Sequence, residues 1–538
     1  MPAMLFHRLL LSYLLLLGVD VHGLGDVRLR DVLNARRTNA KVTDESSLGA
    51  DVPEFVGDVQ TRYVNQQLNH FDASDTRSFA QRFFYSDRYA RAREENRNTY
   101  AFLCVGGEGP ALDESVLVDS VHCTGDMLEL AHILFEDGHK VHLYALEHRY
   151  YGESYPVFRE GGCSKNRTTS PVTNQHLVYL SSTQALADLA HFVNSRSLDG
   201  GTNIKWVTFG GSYPGMMAAW ARSKYPHLIH AAVSSSAPVQ AVLDFSAYNN
   251  HVSKVLASAN VGGSSECLAV FQAAHGEVTR MVHDATQHAG LADMFGLCNA
   301  TSLLEDRNKE LFLGDGLVDL HTQGNNPSCD RDLCNIGKIC RTLLNDAKSF
   351  KPVTALANLA QRQRDRGACI NIDWTGTLDY ISDPVRGVEG GLRSWLWQTC
   401  TEFGFYQTCN MHSTCPYGRG FHRVDQDLEM CRVAFDKSGV QVATAVRSSM
   451  EAYGGWKMEA SRILSVNGDI DPWSELAIHD VSNPQLPTYQ VPGASHHFWT
   501  HKVLDSDGLE IQKAREFIYD TVTAWLETGS PNEPTTVN

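Results

Sequence analysis

The sequence has no surplus of positive charge: its 538 residues carry a formal net charge of −16. Nucleic acids and anionic membrane surfaces recruit basic proteins, so this balance argues against either as the main partner. After its amino-terminal segment the chain also lacks any apolar run of the ~18 to 20 residues that a spanning helix requires. No stable membrane association is expected. The cysteines lack paired C-x-x-C units, which argues against structural zinc, and no cofactor is expected. There is no retention signal of the KDEL type and no carboxy-terminal anchor tail. No internal repeat or low-complexity tract stands out.

What is present points to the secretory route. Arg8 precedes the apolar run Leu9 to Val19, and small residues follow near Gly23 and Gly25. That is the pattern of a signal peptide over residues 1–23, and the run is too short to span a bilayer comfortably. Residues 24–58 are polar and aperiodic and read as a leader or propeptide. Thirteen cysteines in a secreted chain imply disulfides. Seven crowd into one stretch: Cys329, Cys334, Cys340, Cys369, Cys400, Cys409 and Cys415. Cys104, inside the apolar run Tyr100 to Val105, is the candidate for the odd cysteine left free. Asn166-Arg167-Thr168 and Asn299-Ala300-Thr301 are sequons, so Asn166 and Asn299 are glycan acceptors if the chain is secreted or lysosomal.

From Tyr63 to about residue 235, strand-like and helix-like runs alternate. Tyr100 to Val105, Lys140 to Glu147, Lys205 to Phe209 and Ile229 to Val233 read as strands, and Ser181 to Val193 and Met216 to Lys224 as helices. Such alternation implies a mostly parallel sheet covered on both faces. From about 240 to 445 apolar residues recur at helical spacing, cysteines become dense and strand runs are scarce. Strands return at Ile463 to Val466 and Thr488 to Val491, and Leu509 to Leu526 is an amphipathic helix. The expected architecture is an α/β-hydrolase fold: a sheet domain from 59–239 and 446–530, split by a disulfide-rich helical cap at 240–445.

The chemistry follows from Gly210-Gly211-Ser212-Tyr213-Pro214-Gly215. A serine hydroxyl needs a base, an orienter for that base and oxyanion donors before it becomes a useful nucleophile. The hydrolase solution places it on a tight strand-to-helix turn, with small neighbours to relieve crowding. Pro214 departs from G-x-S-x-G, but the donor that matters is the N–H of Tyr213, and proline suits the first turn of a helix. The second donor is expected at Gly107, in the loop Gly106-Gly107-Glu108-Gly109. The fold orders its triad Ser, then acid, then His. Asp469 and Asp471 compete for the acid after the strand at 463–466. His496 and His497 compete for the base after the strand at 488–491.

These segments resemble a known family, the lysosomal Pro-X carboxypeptidase-like serine peptidases, which includes prolyl carboxypeptidase, dipeptidyl peptidase II and thymus-specific serine protease. The resemblance runs from about 60 to 530. It is carried by Gln66-Gln67-Leu68-Asn69-His70-Phe71, the Gly107 loop, Glu147 to Ser154, Tyr179 to Asp188, the Ser212 turn, Gln398 to Gly404, Asp471-Pro472-Trp473 and His496-His497. The form Thr401 to Gln407 is most like the thymus-specific branch. The resemblance implies Asp471 as the triad acid and His496 as the base, with the helical insertion as a cap over the site. It also implies a substrate pocket at Met216, Trp473, Glu402 and Phe403. Phe403 stands where prolyl carboxypeptidase has Met, which puts strict proline preference in doubt. His501 stands where that relative has an Arg supporting the histidine pair. Glu147-His148-Arg149 reads as a structural brace. The expected partners are short peptides, cleaved through an acyl-enzyme by an exopeptidase, with a homodimer left open. An esterase or lipase on the same fold, and an inactive binding protein, are the competing readings.

Overall fold

A computed structural model describes residues 58–528, apart from 92–97, 159–171, 197–203, 365–366 and 386–390. The expected signal peptide, the leader up to residue 57 and the sequon at Asn166 lie outside the described residues.

The chain divides into two compact units. One holds the large sheet, together with Asp383–Gly404 and the residues from Lys437 on; the other holds Val242–Ser382 and Phe405–Asp436. Sequence texture drew the insertion as one block over 240–445. The structure groups its segments 383–404 and 437–445 with the sheet.

The sheet has eight strands: β1 Gln60–Gln67, β2 Ser78–Tyr89, β3 Thr99–Val105, β4 Lys140–Leu146, β5 Lys205–Gly211, β6 Ile229–Ser235, β9 Ile463–Gly468 and β10 Thr488–Val491. The intervening strands β7 Val242–Asp244 and β8 Gly404–Tyr406 form a separate two-stranded sheet. The order in the large sheet is β1-β2-β4-β3-β5-β6-β9-β10. β1 pairs antiparallel with β2, and β2 with β4. Every other neighbouring pair is parallel. This is the α/β-hydrolase arrangement. The parallel strands are buried on both faces, which explains their near-continuous apolar runs: all seven residues of β6 are buried. The antiparallel strands β1 and β2 were not legible as separate strands, because polar residues occupy buried positions in both, Gln66 in β1 and Gln81 and Ser86 in β2, and break the apolar alternation.

One core lies between the sheet and the helix Leu509–Glu527. Phe102, Val207, Phe209, Leu464, Trp499, Ala514, Ile518 and Val522 are all fully buried in it. Cys104 belongs to this core and is not free, because it is bonded to Cys123 at a Cα–Cα distance of 6.1 Å. An apolar strand position looks the same in sequence whether its cysteine is bridged or not, since both states are buried. All twelve described cysteines are disulfide-bonded, and the thirteenth, Cys163, lies outside the described residues.

The other unit is built of helices, among them Ser246–Leu256, Ser265–Val282, Ile336–Ala347 and Pro352–Arg362. Pro352 sits in the first turn of its helix, where a missing N–H costs little. Four disulfides staple the unit: Cys267–Cys340, Cys298–Cys369, Cys329–Cys334 and Cys409–Cys415. The first two each close more than seventy residues of chain. In the chain-entropy account each such closure is worth on the order of 4 kcal/mol. No helix among the described residues is long and apolar enough to cross a membrane.

Candidate active site

Every residue expected to act in catalysis falls at the carboxyl end of a parallel strand: Gly107 after β3, Ser212 after β5, Asp471 after β9 and His496 after β10. Open α/β sheets place their sites on this rim.

The turn at Ser212 is strained and sterically specified. Ser212 has φ 62° and ψ −133°, a conformation that L-residues rarely adopt. It is held by its own N–H donating to the Ser235 carbonyl at 2.9 Å, and by the helix Tyr213–Lys224 that starts at once. The neighbouring glycines have no room for side chains. A Cβ on Gly210 would lie 2.4 Å from the Pro214 carbonyl oxygen, and one on Gly211 would lie 2.7 Å from the His497 ring. A Cβ on Gly107 would lie 2.2 Å from Pro214 Cγ. The proline that departs from the usual motif is therefore the residue against which the Gly107 loop packs. That contact brings both expected oxyanion segments to one place. Tyr213 is the first residue of its helix, where backbone N–H groups have no partner within the helix.

The two candidate acids and the two candidate bases differ in their surroundings. Asp471 is fully buried; its Oδ1 accepts the Trp473 N–H at 3.0 Å and its Oδ2 lies 2.7 Å from His496 Nδ1. Asp469 is occupied elsewhere, accepting the Gly493 N–H at 2.6 Å and bracing the turn before the histidines. His496 Nε2 is buried without a hydrogen-bond partner. His497 adopts a left-handed conformation, and its N–H donates to Ser236 Oγ at 2.8 Å. Its ring also bears on Gly211. The histidine segment is thereby fastened beside the Ser212 turn. Arg515, on the carboxy-terminal helix, adds a clamp by donating to the Trp499 and His501 carbonyls at 2.8 and 3.0 Å.

The sequence profile of the serine carboxypeptidase S28 family matches residues 66–518. The chain belongs to that family and is a serine-type peptidase by that membership. Thymus-specific serine protease of Mus musculus is 35% identical over 475 residues, covering 86% of this chain and 87% of that protein. The Homo sapiens protein of the same name is 32% identical, covering 88% and 87%. Lysosomal Pro-X carboxypeptidase of Homo sapiens is 25% identical, covering 93% and 94%. The resemblance read from the motifs, including its thymus-specific branch, holds.

The four expected pocket residues are all buried. Met216 and Phe403 are fully so, Trp473 is 3% exposed and Glu402 is 9% exposed. Phe403 packs on the Tyr213 ring, with centroids 5.6 Å apart, and Trp473 lies 6.4 Å from the His496 ring. Glu402 is committed within the fold: it accepts from the Ser182 N–H at 2.9 Å and the Ser182 hydroxyl at 2.5 Å, at the start of the helix Ser182–Asn194. Burial pushes its carboxyl up to about 7, against the pull of those bonds. Arg149 and Glu147 are braces. Arg149 grips Asp188 with two bonds of 2.6 and 2.7 Å, and Glu147 accepts from Arg82 and Ser154.

Two features escaped sequence reasoning. Gln398 bridges the Tyr151 and Tyr213 hydroxyls, and His148 Nε2 lies 3.0 Å from the latter. The side chain after the nucleophile is thus tied by a buried polar network. The other feature is Glu108, next to Gly107, which is buried with Oε2 unpartnered. Neither carries a sequence signal beyond lying inside a Gly-rich or aromatic segment.

Proposed function

We propose that the chain is an exopeptidase acting on short peptides through a Ser212–His496–Asp471 triad. Ser212 Oγ attacks the scissile carbonyl. His496 Nε2 takes the hydroxyl proton and later gives it to the leaving amine, while Asp471 holds the tautomer and stabilises the imidazolium. The N–H groups of Tyr213 and Gly107 receive the oxyanion. Water then hydrolyses the acyl-enzyme by the same route. The observation that carries this reading is His496 itself: one ring nitrogen bound to a buried carboxylate, the other unpaired, on a segment that bears on the nucleophile turn.

The buried apolar surroundings of Met216, Trp473 and Phe403 favour a small apolar residue on the acyl side, proline among them. The names of the Pro-X carboxypeptidase relatives support the same preference. Lysosomal relatives and extensive disulfide bonding support passage through the secretory pathway. Asn299, which is exposed, is then a glycan acceptor.

A fluorophosphonate probe tests the nucleophile. It should label the wild type, and Ser212→Ala should abolish labelling; labelling that survives the substitution overturns the assignment. Turnover of short acyl esters with no turnover of any peptide would favour an esterase instead.

A further inference from the structure

The Tyr213 hydroxyl sits in a buried chain of hydrogen bonds whose direction is fixed from one end. His148 Nδ1 lies 2.7 Å from the Arg149 carbonyl, which can only accept, so that nitrogen carries the ring proton. Burial pushes the imidazole down to about 4, so the ring is neutral at neutral pH and its Nε2 is an acceptor. The Tyr213 hydroxyl therefore donates to His148 Nε2 at 3.0 Å. The same hydroxyl accepts from Gln398 Nε2 at 2.9 Å, and Gln398 Oε1 accepts from the Tyr151 hydroxyl at 2.6 Å. Gln398, the last residue of the helix Leu392–Gln398, also hydrogen-bonds the Glu402 carboxyl. Gln398, Tyr213, Tyr151 and His148 are all buried.

Three rings already hold the Tyr213 side chain by packing. Those of His148, Trp395 and Phe403 have centroids 5.5, 5.6 and 5.6 Å away. A phenylalanine would fill the same space without burying a hydroxyl and the groups that satisfy it. What the chain of bonds adds is direction. The N–H of Tyr213 lies on the peptide that follows Ser212, whose φ of 62° and ψ of −133° would relax if that peptide turned. On one side the Ser212 carbonyl accepts the Met216 N–H at 3.0 Å. On the other, the Tyr213 side chain is a lever with its tip held by His148 and Gln398. A turn that carried the N–H off the oxyanion would swing that tip out of both bonds.

We propose that Gln398 and His148 are positioning residues for the oxyanion donor: acting through the Tyr213 hydroxyl, they hold the Tyr213 N–H in the direction the transition state requires. This rests on the reading of Ser212 as the nucleophile and of the Tyr213 N–H as an oxyanion donor. Neither residue touches the reacting atoms. Their effect falls on the rate of attack rather than on binding.

The test uses a fluorophosphonate probe, whose phosphoryl oxygen occupies the oxyanion position. Its maximal rate of capture is separated from its half-saturating concentration. The labelling end point counts folded sites, so a variant that merely folds poorly lowers the end point and not the rate per site. Tyr213→Phe and Gln398→Met should each slow maximal capture by roughly 10- to 100-fold, with the half-saturating concentration within about twofold of the wild type. The double variant should be no slower than the worse single one, because both break one chain. His148→Leu should match them, and His148→Gln, which keeps an acceptor for the hydroxyl, should recover roughly fivefold or more of that loss. Three results overturn the proposal: unchanged maximal capture in Tyr213→Phe, losses that multiply in the double variant, or losses confined to the half-saturating concentration. If Tyr213→Phe gives no end point, the His148 pair decides, and equal rates for His148→Leu and His148→Gln overturn it. A labelled wild type with indifferent variants fails this proposal alone, whereas an unlabelled wild type fails the triad.

Discussion

His496 in the sheet unit and His422 in the helical unit are both little exposed, and each has a ring nitrogen 2.7 Å from a carboxylate. Their second nitrogens differ. His422 Nε2 lies 3.2 Å from Asp427 while Nδ1 faces Asp315, so both nitrogens are committed. His496 has Asp471 on one side and nothing on the other. An imidazole between two carboxylates keeps its proton and acts as a strut. An imidazole with one carboxylate and one open nitrogen is held in a fixed tautomer, with a lone pair available to a hydroxyl. The surroundings agree. His422 joins the loop at Gly314–Asp315 to the start of the helix Val424–Phe435, and its carbonyl accepts the Cys409 N–H beside the Cys409–Cys415 disulfide. His496 follows a strand and precedes His497, whose ring bears on Gly211 of the serine turn.

Replacing each histidine is the most direct way to break this contrast. His496→Ala should lower kcat by about 10⁵- to 10⁶-fold, as expected when a triad base is removed. His422→Ala should leave the rate of fluorophosphonate labelling unchanged. A large labelling defect in the second variant, or a small activity defect in the first, would erase the distinction. Asp471→Asn is the next step down, with a loss of about 10⁴-fold in kcat, because the amide favours the wrong tautomer of His496. Asp469→Asn is the control, since Asp469 braces the Gly493 turn rather than the imidazole.

The sequence makes one of these histidines far more legible than the other. The Ser212 turn, the strand ends and the order of acid and base belong to short contiguous motifs, so the site was readable to within two aspartates and two histidines. Asp469 and Asp471 follow the same strand, so local sequence alone does not rank them. His422 and its partners are spread from 315 to 427, and no local pattern announces such a cluster. The same holds for Cys104, whose partner lies nineteen residues away beyond a turn. Strands β1 and β2 were hidden because buried polar residues interrupt their apolar pattern, whereas continuous apolar runs revealed β3 to β6. Glu108 was in plain view within a Gly-rich loop, but only its burial makes it conspicuous.

The strut reading of His422 predicts a stability effect rather than a catalytic one. His422→Gln keeps some hydrogen bonding but removes the charge between Asp315 and Asp427. The side chains of His422 and Asp315 are 16% and 36% exposed, so solvent screens the pair and its loss costs about 1 kcal/mol. The loss should appear as weakened hydrogen-exchange protection within 405–436, with the sheet strands unaffected. Uniform loss of protection across both units would show that the cluster does not act locally.

The smallest effect is the one most dependent on conditions. Burial alone would lower the pKa of His422, but the carboxylates of Asp315 and Asp427 outweigh it and hold the imidazolium well above its ordinary range. A raised folded pKa means that the folded state binds the proton more tightly than the unfolded chain does. The stabilisation is therefore complete below the ordinary histidine value of about 6.5 and is lost as pH rises through the higher folded value. Acidification to the edge of carboxylate titration keeps the strut intact. Protection within 405–436 should accordingly fall as pH is raised above neutral in the wild type, and His422→Gln should flatten that dependence. The slope must change sign for the strut reading to fail. Protection that increased with pH would mean that His422 is held neutral, leaving its second nitrogen as available as that of His496.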